Sequence, residues 1–235
     1  MSATPSRTTT AADRRVAPGH RRILVRIGAV LWVAVLEFFL VLPVVSSRWS
    51  TPYDPMRNMI SDLGATTCRY ADSRAVWVCS PWHRPANGSW LVAGTCLALG
   101  ALLLMNAFVE SRSARVGLGL YIVSGLGLIT VGANPEDLRP VMHGLGAAFA
   151  IVGGEVAMIV LGAALLRERR HRGLGLLGVA GGCVAVIGLI LMICHVGGPA
   201  LGGLWERIAA FPTLIYAVCC GLRWLAVPPR AGHAD

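Results

Sequence analysis

The polar residues of this chain gather at the ends of its apolar segments, and three of the resulting groups can do chemistry. The first is Ser61-Asp62-Leu63-Gly64, preceded by Tyr53-Asp54-Pro55. The second is Asn134-Pro135-Glu136-Asp137, followed by His143. The third brings together His195, Glu206 and Arg207. Carboxylates with imidazoles are the usual ligands of a borderline metal such as zinc, and they are also the usual acid–base pair. Asp62, Asp137, His143 and His195 can therefore serve a metal-dependent, membrane-embedded hydrolase. Zinc enters only on that alternative, and no cofactor is otherwise predicted. The same surface can instead meet a lipid headgroup or a small polar ligand, with Ser61, Asp62, Asn134, Asp137, His143, Glu206 and Arg207 as the lining. Structural roles compete with both readings. Asn134 and Asp137 can cap a helix, Ser61-Asp62 can turn the chain before Gly64, and Glu206-Arg207 can pair locally. No HExxH, GxSxG or paired-aspartate phosphatase motif occurs, so the residues leave open whether the protein is an enzyme.

Two further acids, Glu37 and Glu155, lie inside apolar runs. An ionisable group at membrane depth is costly and is by default a functional hypothesis. If the two face each other or a polar cavity, a small proton-coupled transporter is a further alternative. Cys68 and Cys79 sit in a polar stretch and are candidates for a disulfide, whereas the other five cysteines sit in apolar surroundings. Asn87-Gly88-Ser89 has the form of a glycosylation sequon.

The elements that must position these groups follow from composition. Over 235 residues, 55% are hydrophobic and 14% charged. Soluble domains carry about 25% charged residues, so this chain lacks the polar surface to coat a water-exposed globule. A soluble enzyme, a disordered protein and a nucleic-acid binder are set aside. Six apolar segments account for the composition, at about 23–45, 90–108, 116–133, 142–166, 174–195 and 205–226. Each approaches the roughly 20 residues that cross a bilayer as a helix. The expected fold is all-α, a polytopic transmembrane bundle of six spans. It has a disordered tail over 1–22, a long loop over 46–89 and a short tail over 227–235. Trp77, Trp82, Trp90 and Trp205 would mark the outer interface and Trp224 the inner one.

All 21 basic residues are arginine, and the formal net charge is +9. Fourteen of the arginines fall on the side of the two termini and seven on the other. The positive-inside rule then places both termini in the cytoplasm and the long loop outside. The expected partners are membrane lipids, with no nucleic acid, and the expected location is the plasma membrane.

The SDLG stretch from Ser61 to Gly64, Asn87-Gly88 at the second span, the NPED stretch from Asn134 to Asp137 with His143, and Glu206-Arg207 occur in this order. Together they resemble the bacterial and archaeal integral-membrane family called domain of unknown function 998, over roughly residues 25–226. The resemblance implies a six-span bundle and no particular activity. The stretch from Cys68 to Cys79 looks longer than the family norm.

Overall fold

The computed structural model describes residues 18–229. It is an all-α bundle with six helices long and apolar enough to cross a membrane. The first span, Gly19–Ser46, is built from α1 (Pro18–Ala34) and α2 (Leu36–Ser46). The others are α3 (His83–Leu104), α4 (Arg112–Ala133), α5 (Pro140–Leu165), α6 (Arg172–Ile193) and α7 (Gly202–Ala226). The shortest span has 22 residues, which at 1.5 Å per residue is about 33 Å, enough for the hydrocarbon core. The outward faces are apolar, as a lipid solvent requires: Leu40 is 70% exposed, Val141 69% and Ile193 64%.

In a bilayer, helices gain nothing by hiding apolar surface from lipid, so close packing must hold them together. Glycines provide it. Gly94 of α3 and Gly125 of α4 let the two backbones touch, since a Cβ on Gly125 would stand 2.6 Å from the Gly94 carbonyl oxygen. Gly127 of α4 and Gly146 of α5 do the same on the next interface. The half of the bundle nearer the two termini is filled by aromatic rings. Trp32 packs 4.9 Å from Tyr121 and 5.5 Å from Trp224, centroid to centroid, and its indole N–H donates to the Leu97 carbonyl at 3.0 Å. Trp224 is fully buried. It is a core residue rather than an interfacial anchor, because α7 turns that face toward α1.

The chain departs from the expected boundaries in several places. Residues 1–17 of the expected tail lie outside the described residues, as do 230–235 at the other end. From Pro18 onward the chain is already helical, so residues 18–22 belong to α1 and not to a tail. The second helix begins at His83 rather than at Trp90. Its polar first turn, with Pro85, escapes a hydropathy scan, yet proline is tolerated there because first-turn N–H groups have no helical partner. Asn87 consequently sits in a helix with its side chain engaged, and Asn87-Gly88-Ser89 is not an open acceptor loop.

Between α2 and α3 the chain folds into a small cap. It contains a 3-10 turn over Ser61–Gly64 and an antiparallel hairpin of β1 (Arg69–Ala71) and β2 (Val76–Val78). In its register Tyr70 faces Trp77. A Cys68–Cys79 disulfide closes the hairpin at its open end. The cap has its own apolar cluster, in which Leu63, Ala65 and Val78 are almost wholly buried against Val45 and Ala86.

Candidate functional site

The cap is fastened to the helix ends by the polar residues that the sequence singles out. Asp62 is fully buried. It accepts the Met59 N–H at 2.8 Å and a bidentate pair of bonds from Arg74 at 2.8 and 2.6 Å. Asn87 of α3 donates to the Gly64 carbonyl at 3.0 Å, and Ser80 to the Leu63 carbonyl at 2.7 Å. Arg69 meets Glu136 at 2.7 Å. Arg207 of α7 donates to the Pro55 and Asn58 carbonyls, both at 2.8 Å, and to the Tyr53 hydroxyl. Gly203 lies one turn earlier, where a Cβ would collide with the Asn58 carbonyl oxygen, so only glycine lets α7 sit this close to the cap.

Asp137 accepts from four donors, the backbone N–H and the hydroxyl of both Thr66 and Thr67, the shortest bonds being 2.8 Å. Burial alone would raise the pKa of this carboxyl. The donors from Thr66 and Thr67 outweigh it and bring the pKa down to about 2. Glu136 beside it moves the other way, raised by burial and by the neighbouring Asp62. The sign of the Asp137 effect fixes a pH dependence. An acid whose pKa falls on folding stabilises the fold above its ordinary value of 3.8, and that stability is lost as pH falls through about 2. Asp137→Asn should therefore lower the apparent Tm near neutrality, with the gap to the parent protein closing as pH falls from about 4 to 2. Melting curves across that range check this, and a gap independent of pH would remove the carboxylate from the account.

Beneath the cap lies a small cavity of about 70 Å³, open at its mouth. That is less than the roughly 300–1,000 Å³ that enclose a whole small molecule, so it can hold only part of a ligand. α2 and α3 contribute Phe38 and Trp90, α4 contributes Ser124, Leu128 and Val131, α5 contributes His143, Ala147 and Ala150, and α7 contributes Glu206, Ala210, Thr213 and Leu214. The cap closes it with Ile60 and Ser61. Its walls are mainly apolar, and polar side chains stand at two levels. Ser61, His143 and Glu206 occupy the end nearest the cap, and Ser124 and Thr213 lie about two turns deeper. One turn below Ser124 on α4, Tyr121 belongs to the aromatic cluster that fills the half nearer the two termini.

The structure divides the seven candidate lining residues. Ser61, His143 and Glu206 reach the cavity. Asp62, Asp137 and Arg207 are committed to the cap, and Asn134 offers its carbonyl to the His143 Nδ1 at 2.9 Å. The set Asp62, Asp137, His143 and His195 does not come together: among the described residues no group of three or more His, Cys, Asp or Glu is placed to hold a metal ion. Arg74 and the two threonines take up the carboxylates, and His195 is exposed with a left-handed backbone at φ 50°. Glu37 and Glu155 are also apart. Glu37 accepts from the Ser89 hydroxyl of α3 at 2.9 Å. Glu155 of α5 is 1% exposed, with its Oε1 unpartnered. Sequence reasoning missed Phe38, Ser124 and Thr213 as lining residues. Ser124 and Thr213 are hydroxyls on otherwise apolar spans, a weak signal that was available. Trp90, expected at the membrane interface, is 3% exposed and forms part of the cavity wall.

The sequence matches the family described as "Protein of unknown function (DUF998)" over residues 27–223. The chain belongs to the DUF998 family. The DUF998 match runs from the first span to the last and includes the cap and every residue that lines the cavity. No curated protein and no solved structure matches the chain.

Proposed function

We propose that this multi-pass membrane protein binds a membrane amphiphile, with the apolar part between α5 and α7 and the polar end against Ser61, His143 and Glu206. The observation behind this reading is the cavity itself, with mainly apolar walls and polar side chains at the end under the cap. Natural interiors are close-packed, so a space of this size has to be maintained. Here the small side chains of Ala147, Ala150 and Ala210 leave the room. The partner in this reading is a lipid of the surrounding bilayer, and no metal takes part.

The proposal includes an orientation, with the cap outside a plasma membrane and both termini in the cytoplasm. The arginine excess on the side of the termini supports it. So does the Cys68–Cys79 disulfide, a bond that persists in oxidising compartments.

Filling the cavity tests the function. Ala147→Phe and Ala210→Phe place a ring where the ligand would lie and leave the cap untouched. Lipid extracted from protein purified in mild detergent and quantified by mass spectrometry should fall to background in both variants, while their circular dichroism stays helical. Equal lipid content in parent and variants would defeat the reading.

A further inference from the structure

The hydrogen-bonding character of the cavity's outer end limits the headgroup it can accept, given that the cavity is the binding site. Three polar side chains reach that end. The Nδ1 of His143 stands 2.9 Å from the Asn134 carbonyl oxygen, which can only accept. Nδ1 therefore carries a proton, which leaves Nε2 as the ring nitrogen that can meet a ligand. Glu206 accepts the Ile60 N–H through Oε2, which leaves Oε1 as a second acceptor. The Ser61 hydroxyl donates to Glu136 and so can only accept from a ligand.

Among the described residues no arginine lines the cavity. Arg207 is spent on three carbonyls and the Tyr53 hydroxyl. Arg74 is paired with Asp62, Arg69 with Glu136, and Arg139 donates to the Asn134 side chain. The deeper level adds one free hydroxyl. The Ser124 hydroxyl is occupied by the Ala150 carbonyl at 2.7 Å, whereas the Thr213 Oγ1 is buried without a partner. Phosphate recognition needs positive charge or converging N–H groups; no arginine lines this end, and its side chains present a carboxyl oxygen of Glu206 and a ring nitrogen of His143.

We propose that the cavity selects an amphiphile whose headgroup donates hydrogen bonds and carries no phosphate. A hydroxyl or a primary amine can donate to His143 Nε2 or to Glu206 Oε1. A phosphate would set its oxygens against both.

Three probes with the same oleoyl chain separate the cases: monooleoylglycerol, oleylamine and oleoyl lysophosphatidic acid. Each is added to the purified full chain in mild detergent at pH 8, where an ordinary imidazole is neutral, and binding is read by thermal shift and native mass spectrometry. Monooleoylglycerol, oleylamine or both should bind and raise the apparent Tm, and lysophosphatidic acid should do neither. Ala147→Phe should abolish the binding. Glu206→Gln, which puts a donor where the carboxylate stood, should weaken it at least tenfold. His143→Ala provides a second variant if the glutamine does not fold. Lysophosphatidic acid binding as tightly as the others would overturn the headgroup class and leave the cavity as the site. No binding by any probe would overturn it too; unchanged co-purified lipid in Ala147→Phe would then remove the site as well.

Discussion

Asp62→Ala should lower the stability of the protein by about 3–5 kcal/mol, the cost of stripping one partner from a buried, hydrogen-bonded ion pair. The loss has three parts. The Met59 N–H loses its acceptor at 2.8 Å. The two bonds from Arg74, at 2.8 and 2.6 Å, go together. The guanidinium is then left with a side chain only 19% exposed, too little for water to replace the carboxylate. A guanidinium stays protonated at any working pH, so the charge cannot be shed once Asp62 is gone. Asp62→Asn should cost nearly as much, because its amide NH₂ would face another donor. Adding Arg74→Leu to Asp62→Ala should recover part of the stability, since two apolar groups bury more cheaply than one orphaned charge. A double-mutant cycle of thermal unfolding in detergent measures this coupling. An additive cycle would mean the pair does not hold the cap. The helices should stay helical in each variant, because the cap forms its own cluster beside them.

The same pair shows why the fold was legible in the sequence and the site only partly so. Six apolar segments separated by polar residues dictate six helices, because a chain crossing lipid must satisfy its own backbone. Span ends were less legible wherever a helix starts in polar sequence, as α3 does at His83. Asp62, Asp137 and Arg207 were visible as an unusual density of charge at one end of the bundle. Their residue types could not say whether they faced a ligand or each other. What decides is the partner: Arg74 for Asp62, Thr66 and Thr67 for Asp137, Tyr53 for Arg207. These partners lie 12, 71, 70 and 154 positions away in the chain, and no local pattern encodes such pairings. The cavity was the least legible feature. A void is defined by side chains that are small, and Ala147, Ala150 and Ala210 look like ordinary membrane alanines until five elements enclose the same space.

The other large effect is expected at a position with no polar chemistry. Gly125→Ala should destabilise the bundle by about 1–3 kcal/mol for a single methyl, the usual cost of overpacking, and Gly125→Leu should prevent a folded bundle from accumulating. A Cβ at Gly125 would stand 2.6 Å from the Gly94 carbonyl oxygen, 2.7 Å from the Ala98 nitrogen and 2.8 Å from the Ala98 Cβ. Two of these are backbone atoms of α3, so no rotamer change relieves the clash and the helices must separate. Reciprocally, a Cβ at Gly94 would meet the Gly125 carbonyl oxygen at 2.6 Å and the Ile129 nitrogen at 2.8 Å. Separation along this seam forfeits dispersion contacts that lipid replaces only in part, and in a bilayer those contacts are the main attraction between helices. It also displaces Ser124, Leu128 and Val131, the α4 wall of the cavity, so Gly125→Ala should lose bound lipid even where it still folds. Gly144→Ala is the matched control. It lies within α5, where a Cβ would meet nothing within 4 Å, so the intrinsic preference of helices for alanine should leave stability unchanged or raised by up to about 1 kcal/mol. Apparent Tm and co-purified lipid measured on the two alanine variants side by side decide the matter. Equal behaviour would mean that α3 and α4 tolerate a wider seam, and that the contact between Gly94 and Gly125 does not position the wall.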